Sequence, residues 1–191
     1  MKTRRLGKTN LQVSEIGFGG EWLERHPEEE SIELIRYASS KGINILDCWM
    51  ADPKSRDIIG KGIKENRSQW FIQGHIGSTW KDKQYFRTRD MKYVRPAFED
   101  LLKRLQTDYI DLGMIHYIDS EEEWEQIQHS DYMDYVMELK NTGVIRHIGM
   151  SSHNPKVAVK AAESGFVEMI LFSINPAFDM LPASENIDTM F

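Results

Sequence analysis

Cysteine occurs once in the 191 residues, as Cys48. An internal disulfide is therefore excluded. The chain has no run of about 18 apolar residues and no N-terminal apolar stretch of the kind a secretory leader uses, so neither a spanning helix nor export is expected. An excess of basic charge is missing too: Lys and Arg number 24 against 30 Asp and Glu, for a net charge of -6. The two signs are interspersed, whereas a nucleic-acid footprint needs Lys and Arg gathered on one face. These absences point to a cytoplasmic protein whose partners include neither nucleic acid nor membrane.

Hydrophobic residues make up 40% of the chain and charged residues 28%, the ordinary balance of a protein that folds around a buried core. Short apolar runs at 15–20, 43–49, 70–77, 109–117, 145–152 and 169–175 read as strands. Between them, segments 28–41, 55–66, 90–106, 121–142 and 155–164 read as helices. Their apolar residues recur at three and four positions, as in Val94, Phe98, Leu101, Leu102 and Leu105. Gly42, Gly143 and Gly165 stand where left-handed C-caps would end three of these helices. Ser55 suits the N-cap of the second helix, with Asp57 in its first turn, and Asn154-Pro155 suits the start of the last. Around Lys8-Thr9-Asn10, two polar-alternating runs read as a hairpin ahead of the first strand.

Regular alternation of strand and helix implies parallel strands with right-handed crossovers, which is the α/β class. Two architectures fit, a doubly wound open sheet and a (β/α)8 TIM barrel. The open sheet wants G-x-G-x-x-G after its first strand, but here Gly17, Gly19 and Gly20 are followed by Glu21 and Trp22. The barrel is favoured. Polar side chains also stand at the C-terminal strand ends, where barrel enzymes gather their sites: Glu21, Asp47, His75, His116, Ser152 and His153. Taken singly, such residues are more often loop partners or caps. Taken together, an aspartate and three histidines from successive strands would face one cavity.

The segments RRLGKTNLQVSEIGFGG, INILDCW, FEDLLKRLQTDYIDLGMIHYID and GVIRHIGMSSHNP resemble the aldo-keto reductase family, in the right order and over essentially the whole chain. The run LLKRLQTDYIDLGMIH is the most specific of them. The resemblance implies a barrel with an N-terminal hairpin across its bottom, and reduction of a small-molecule carbonyl by NADPH or NADH. The family's Asp, Tyr, Lys, His tetrad carries over in part. Asp47 and His116 take the Asp and His positions, while Asp52 stands at the Tyr position and His75 at the Lys position. Among cofactor contacts, Ser152 with Asn154 resembles the fifth-strand Ser-Asn pair with His153 inserted, Ser173 replaces the sixth-strand Gln, and Gly19 is a further candidate. GGEWL, DCWMADPKSRDIIGKGI and IQGHIGSTW resemble the divergent subgroup that often carries a C-terminal ferredoxin-like iron-sulfur segment, which would imply a redox partner. A cluster could belong only to a segment missing from this chain, because a single cysteine falls short of the usual four ligands.

Hydride addition to a carbonyl places negative charge on oxygen, and a donor must meet it. Asp52 is a poor replacement for tyrosine, being ionised at neutral pH unless desolvation raises its pKa. His75 is better placed, since imidazole titrates near neutrality and Asp47 one strand away can orient it and favour its charged form. The expected acid is a His75-Asp47 pair with His116 as second donor, and Tyr85 and Tyr117 are lesser candidates. Two other readings stay open. Asp47, His75, His116 and His153 could form a carboxylate-imidazole set for a hydrolytic Zn2+ or Fe2+. Alternatively, the tetrad has decayed and the barrel is a non-catalytic or electron-transfer-coupled module.

Six strands are visible where a closed barrel needs eight, so residues 1–191 are expected to be the N-terminal portion of one domain, with exposed sheet edges prone to aggregation. The polar-aromatic stretch 75–90 is expected to be a loop over the barrel mouth, with Trp80, Tyr85 or Arg87 available to substrate or to simple packing. Trp22 and Trp49 are candidate pocket aromatics. The acidic run 119–126 is expected to cap and solvate the fourth helix. His26, His129 and His147 are expected to be structural or solvated.

Overall fold

A computed structural model describes residues 1–174. Strands β1 (Thr3–Arg5) and β2 (Gln12–Ser14) form the expected antiparallel hairpin. The chain continues through β3 (Phe18–Gly19), α1 (Glu28–Ser40), β4 (Ile45–Cys48), α2 (Pro53–Ile63) and β5 (Phe71–Ile76). A second hairpin follows, β6 (Ser78–Lys81) with β7 (Gln84–Arg87), and then α3 (Met91–Leu105) and β8 (Ile110–Ile115). Helices α4 (Glu121–Ile127) and α5 (Asp131–Asn141), β9 (Ile145–Ser152), α6 (Pro155–Glu163) and β10 (Met169–Phe172) complete it. Six parallel strands, in the order β10-β9-β8-β5-β4-β3, curl into a half-barrel. The sixth strand was expected to run to Asn175, which lies outside the described residues, as does the chain end. Among the described residues no helix is long and apolar enough to cross a membrane.

Side chains alternate across this sheet with period two, and the two faces have separate cores. Leu46, Ile72, Ile76, Ile115 and Ile148 point outward, toward the layer that holds Ile58, Ile59 and Ile63 of α2 and Val94, Phe98, Leu101 and Leu105 of α3. Ile45, Leu112, Met114 and Met169 form a second cluster with Val13, and Leu6, Leu11 and Phe71 pack against it. The N-terminal hairpin thus covers the lower end of the concave face. Asp47, His75 and His116 continue the concave series beyond this plug.

The helix ends follow local chemistry, with three differences from the sequence reading. Gly42, Gly143 and Gly165 adopt φ of 82°, 78° and 84° just beyond α1, α5 and α6, as their placement predicted. Asn154 caps α6 by accepting from Lys156 N and Val157 N. The cap of α2, however, is Asp52 rather than Ser55: its carboxylate accepts from Ser55 N at 2.9 Å, and the Ser55 hydroxyl donates to Glu24 instead. The single helix expected over 121–142 is two, because Ser130 donates to Ile127 O and accepts from Met133 N, ending α4 and starting α5. The third difference lies in the stretch 75–90, which is no irregular loop. Asp82 and Lys83 both have positive φ, 52° and 62°, and make the two-residue turn of the β6–β7 hairpin.

Helices α2 and α3 meet closely at Gly60, where an added Cβ would lie 2.1 Å from Arg104 O. Backbone cannot move aside as a side chain can. Gly60→Ala is expected to destabilise the protein by about 2 kcal/mol, the overpacking cost less the helix-propensity gain of about 1 kcal/mol. Urea unfolding measures it, and a neutral or stabilising result would mean that α2 and α3 do not pack this tightly.

Candidate active site

Parallel register explains how three polar side chains from three strands come together. Asp47 of β4 pairs with Gln73 of β5, and His75 of β5 pairs with Met114 of β8. His75 lies two residues beyond Gln73 and His116 two beyond Met114, so each stays on the concave face while stepping along its strand. In a barrel the strands tilt, and a steady stagger of this kind compensates the tilt. The side chains consequently touch. Asp47 Oδ1 lies 2.9 Å from His75 Nε2, and His75 Nδ1 lies 2.8 Å from His116 Nδ1. Both imidazoles are buried, 3% and 4% exposed.

A fourth member comes from the second hairpin. The Tyr85 hydroxyl lies 2.6 Å from His116 Nε2, so an unbroken row of hydrogen bonds runs Asp47, His75, His116, Tyr85. Trp49 secures it: its ring lies parallel to His116 at 6.0 Å and edge-on to Tyr85 at 5.2 Å, and its Nε1 donates to Glu21. The hairpin is itself tied down. Ser78 Oγ donates to Trp49 O, Arg87 pairs with Glu123 at 2.9 Å, and Arg89 donates to His116 O and Tyr117 O.

This row opens into a cavity of about 400 Å³ lined by Trp49, Tyr117, Ser151, His153, Phe172 and Ser173 among others. The volume suits a small organic ligand or the reactive end of a larger one. Burial holds the His116 pKa well below 6.5, helped by the charges of His75, Arg89, Arg87 and His153. Burial likewise pushes the Tyr85 phenol up to about 12, only partly offset by Arg87 and Arg89. Both groups are thus neutral in ordinary solution. Cys48, on the opposite face of β4, is pushed to about 12 by burial and is no ready nucleophile.

The sequence candidates divide cleanly. Asp47, His75 and His116 assemble as expected, although His75 and His116 stand in line rather than side by side. Asp52 is absent from the cavity lining, and its carboxylate is held by the α2 N-terminus. Ser152 lines the cavity, but its hydroxyl donates to Ile118 O and accepts from Asn154 N. Asn154 caps α6 and donates to Asp119 O. Neither side chain is turned toward a ligand. Ser173 lines the cavity, whereas Gly19 is an exposed residue of β3 in register with Asp47 and is not in the lining. Ser151, passed over in the sequence, is in the wall. Its hydroxyl accepts from Tyr117 N and keeps a proton to donate, a role that only the fold reveals. Trp49 is a pocket aromatic; Trp22 is 44% exposed beneath Arg25, and Trp80 lines a separate groove. Arg87 is taken up by Glu123 and Tyr117 O. His147 is structural, bonded to Glu168, and the acidic run does cap α4, through Ser120.

The metal reading fails on geometry. His153 turns away to Asp119 at 2.9 Å, and the nitrogens of His75 and His116 are taken up within the row. Among the described residues no group of three or more His, Cys, Asp and Glu could hold a metal ion.

Residues 15–189 match the model of the aldo/keto reductase family. Aldo-keto reductase YhdN of Bacillus subtilis is 34% identical over 161 residues, 80% of this chain and 47% of its own length. The solved aldo-keto reductase AKR11C1 from Bacillus halodurans (holo form) is 29% identical with a TM-score of 0.76, over 91% of this chain and 58% of that one. An aldo-keto reductase from Klebsiella pneumoniae, solved in complex with NADPH, is 21% identical and shares the fold at a TM-score of 0.65, over 85% of this chain and 53% of that one. The chain spans about half the length of the curated relatives it matches.

Asp119 locks the cavity rim by accepting from the backbone and ring of His153. Burial raises the Asp119 pKa, but those bonds outweigh it and hold the net value below 3.8. The same contact, chiefly the ring hydrogen bond to Asp119, raises His153 above 6.5. Asp119 therefore contributes stability above 3.8 that is lost as pH falls through its lowered pKa. His153 contributes stability below 6.5 that is lost as pH rises through its raised pKa. The rim is expected to be tightest between these ordinary values. NMR titration should place His153 above 6.5, and Asp119→Asn should return it to the ordinary range; an unmoved titration would show that the pair does not form.

Proposed function

The chain belongs to the aldo/keto reductase family, and from that premise we propose that the protein to which it belongs reduces a small-molecule carbonyl with NADPH or NADH. The observation that carries the reading is the continuous Asp47–His75–His116 row opening into a cavity at the C-terminal ends of the parallel strands. A solved protein of the same fold, at 21% identity, holds NADPH. The walls of this cavity fit the nicotinamide end of such a cofactor. Trp49, Tyr117 and Phe172 supply flat apolar surface, and Ser151 and Ser173 supply hydroxyls for a carboxamide. When bound, the cofactor supplies the hydride.

The protein's own task is then to supply the matching proton, and the row is suited to it. Asp47 faces His75 Nε2 at 2.9 Å, so the carboxylate accepts a hydrogen bond there and sets the orientation of the ring. His116 is kept neutral by burial. A proton moving along the row passes from His75 through His116 toward the cavity. His75 stands at the lysine position, in series with His116 at the histidine position. Asp52, at the tyrosine position, takes no part because it caps a helix.

Titration of NADPH into the full-length protein, followed by fluorescence, tests the reading. Saturable binding is expected, with oxidation of the bound cofactor by test aldehydes. His75→Gln should keep binding but lower kcat by about 100-fold or more, the usual contribution of a positioned acid. A folded full-length protein that binds neither NADPH nor NADH would sink the nicotinamide assignment. Binding without turnover of any carbonyl would leave a nucleotide-binding module.

A further inference from the structure

The hydrogen-bond row raises a difficulty for a histidine as the direct donor. His75 has one nitrogen against Asp47 and the other against His116, and His116 has its second nitrogen against Tyr85. Neither ring has an N–H left for a ligand. The hydroxyl at the open end belongs to Tyr85, which lines the cavity, and Tyr85 comes from the β6–β7 hairpin rather than from any strand of the barrel.

On the carbonyl-reductase reading above, we propose that Tyr85 is the catalytic residue that hands the proton to the substrate oxygen, replenished from His75 through His116. The loaded row has Asp47 ionised, His75 carrying N–H on both nitrogens, His116 protonated at Nε2, and the Tyr85 proton free to point into the cavity. As hydride adds to the carbonyl carbon, the C=O π pair moves to oxygen and that oxygen takes the Tyr85 proton. The Tyr85 oxygen takes the proton from His116 Nε2, and His116 Nδ1 takes the proton from His75 Nδ1. His75 ends neutral, still donating to Asp47 from Nε2. One carbonyl is reduced to an alcohol, one nicotinamide is oxidised, and one proton leaves the row. Only one proton fits between two Nδ1 atoms 2.8 Å apart, so the two rings pass it directly from one to the other.

Charged and titratable groups around Tyr85 are compatible with the role. Arg87 and Arg89 from β7 and the segment after it favour the transient phenolate, Tyr117 disfavours it, and burial keeps the phenol protonated in between. The ring is positioned by Trp49 and His116, at centroid distances of 5.2 and 5.8 Å.

Tyr85→Phe in the full-length protein is the test, since it keeps the ring against Trp49 and removes only the hydroxyl. Nitrogen-15 NMR of the imidazoles, recorded without cofactor, should show the His116 Nε2 resonance shifting in the variant, with a smaller change at His75 Nδ1. In NADPH-dependent reduction of a simple aromatic aldehyde, kcat should fall by about 100-fold or more while KM for the aldehyde stays within a few-fold. An unchanged unfolding midpoint would confirm an intact fold. Both changes together support the proposal. If the wild type reduces aldehydes and Tyr85→Phe keeps kcat, or if the imidazole spectra of the variant match wild type, Tyr85 only packs the site and the proposal falls while the reductase reading stands. If the wild type reduces no carbonyl with either nicotinamide, that reading falls first and the proposal with it.

Discussion

The site depends on one geometric constraint, the two-residue advance from strand to strand. Parallel hydrogen bonding sets Asp47 level with Gln73 and His75 level with Met114. The polar row runs diagonally, through positions two residues farther on. A shift of one residue would turn His75 or His116 to the convex face, into the apolar layer that holds Ile76 and Ile115. Glycines on that convex face keep the helices close and the strands in place: at Gly74 and Gly113 an added Cβ would meet Leu101 and Ile145. The geometry of the row is thus a by-product of packing on the other side of the sheet.

Within this frame the electrostatics are sparing. A buried lysine at position 75 would bring a permanent charge that a low-dielectric site has to compensate. Two imidazoles beside one carboxylate need only one positive charge among them, and that charge can be absent. Arg87 and Arg89 share one carboxylate, Glu123, which offsets part of their charge and also anchors the hairpin to α4. Position and charge balance are therefore provided by the same ion pairs.

Much of this was legible in the sequence, and the exceptions have identifiable causes. Alternating strands, glycine C-caps and the Asn154-Pro155 start are local signals, and they hold because nothing in the tertiary structure opposes them. Asp47, His75 and His116 were legible because they end apolar runs. The place of Tyr85 in the row was not legible because its hairpin turns on Asp82-Lys83, a pair that lacks the glycine by which such turns are recognised. Ser152 and Asn154 were read as ligand contacts, yet sequence spacing does not show that Ile118, Asp119 and the α6 N-terminus claim them. The break between α4 and α5 was written in Ser130-Asp131, a start signal masked by the apolar periodicity on either side.

The two facing Nδ1 atoms impose a condition on timing as well as on direction. After one delivery every hydrogen bond in the row points back toward Asp47, and Tyr85 donates inward. In that orientation the site is refractory: it can accept a proton from an alcohol but cannot give one to a carbonyl. On the proposed relay, rearming takes one proton up at Tyr85 from the cavity, which returns His116 to its Nε2 tautomer and leaves His75 with N–H on both nitrogens. On that reading a step of proton uptake, distinct from cofactor exchange, separates one turnover from the next.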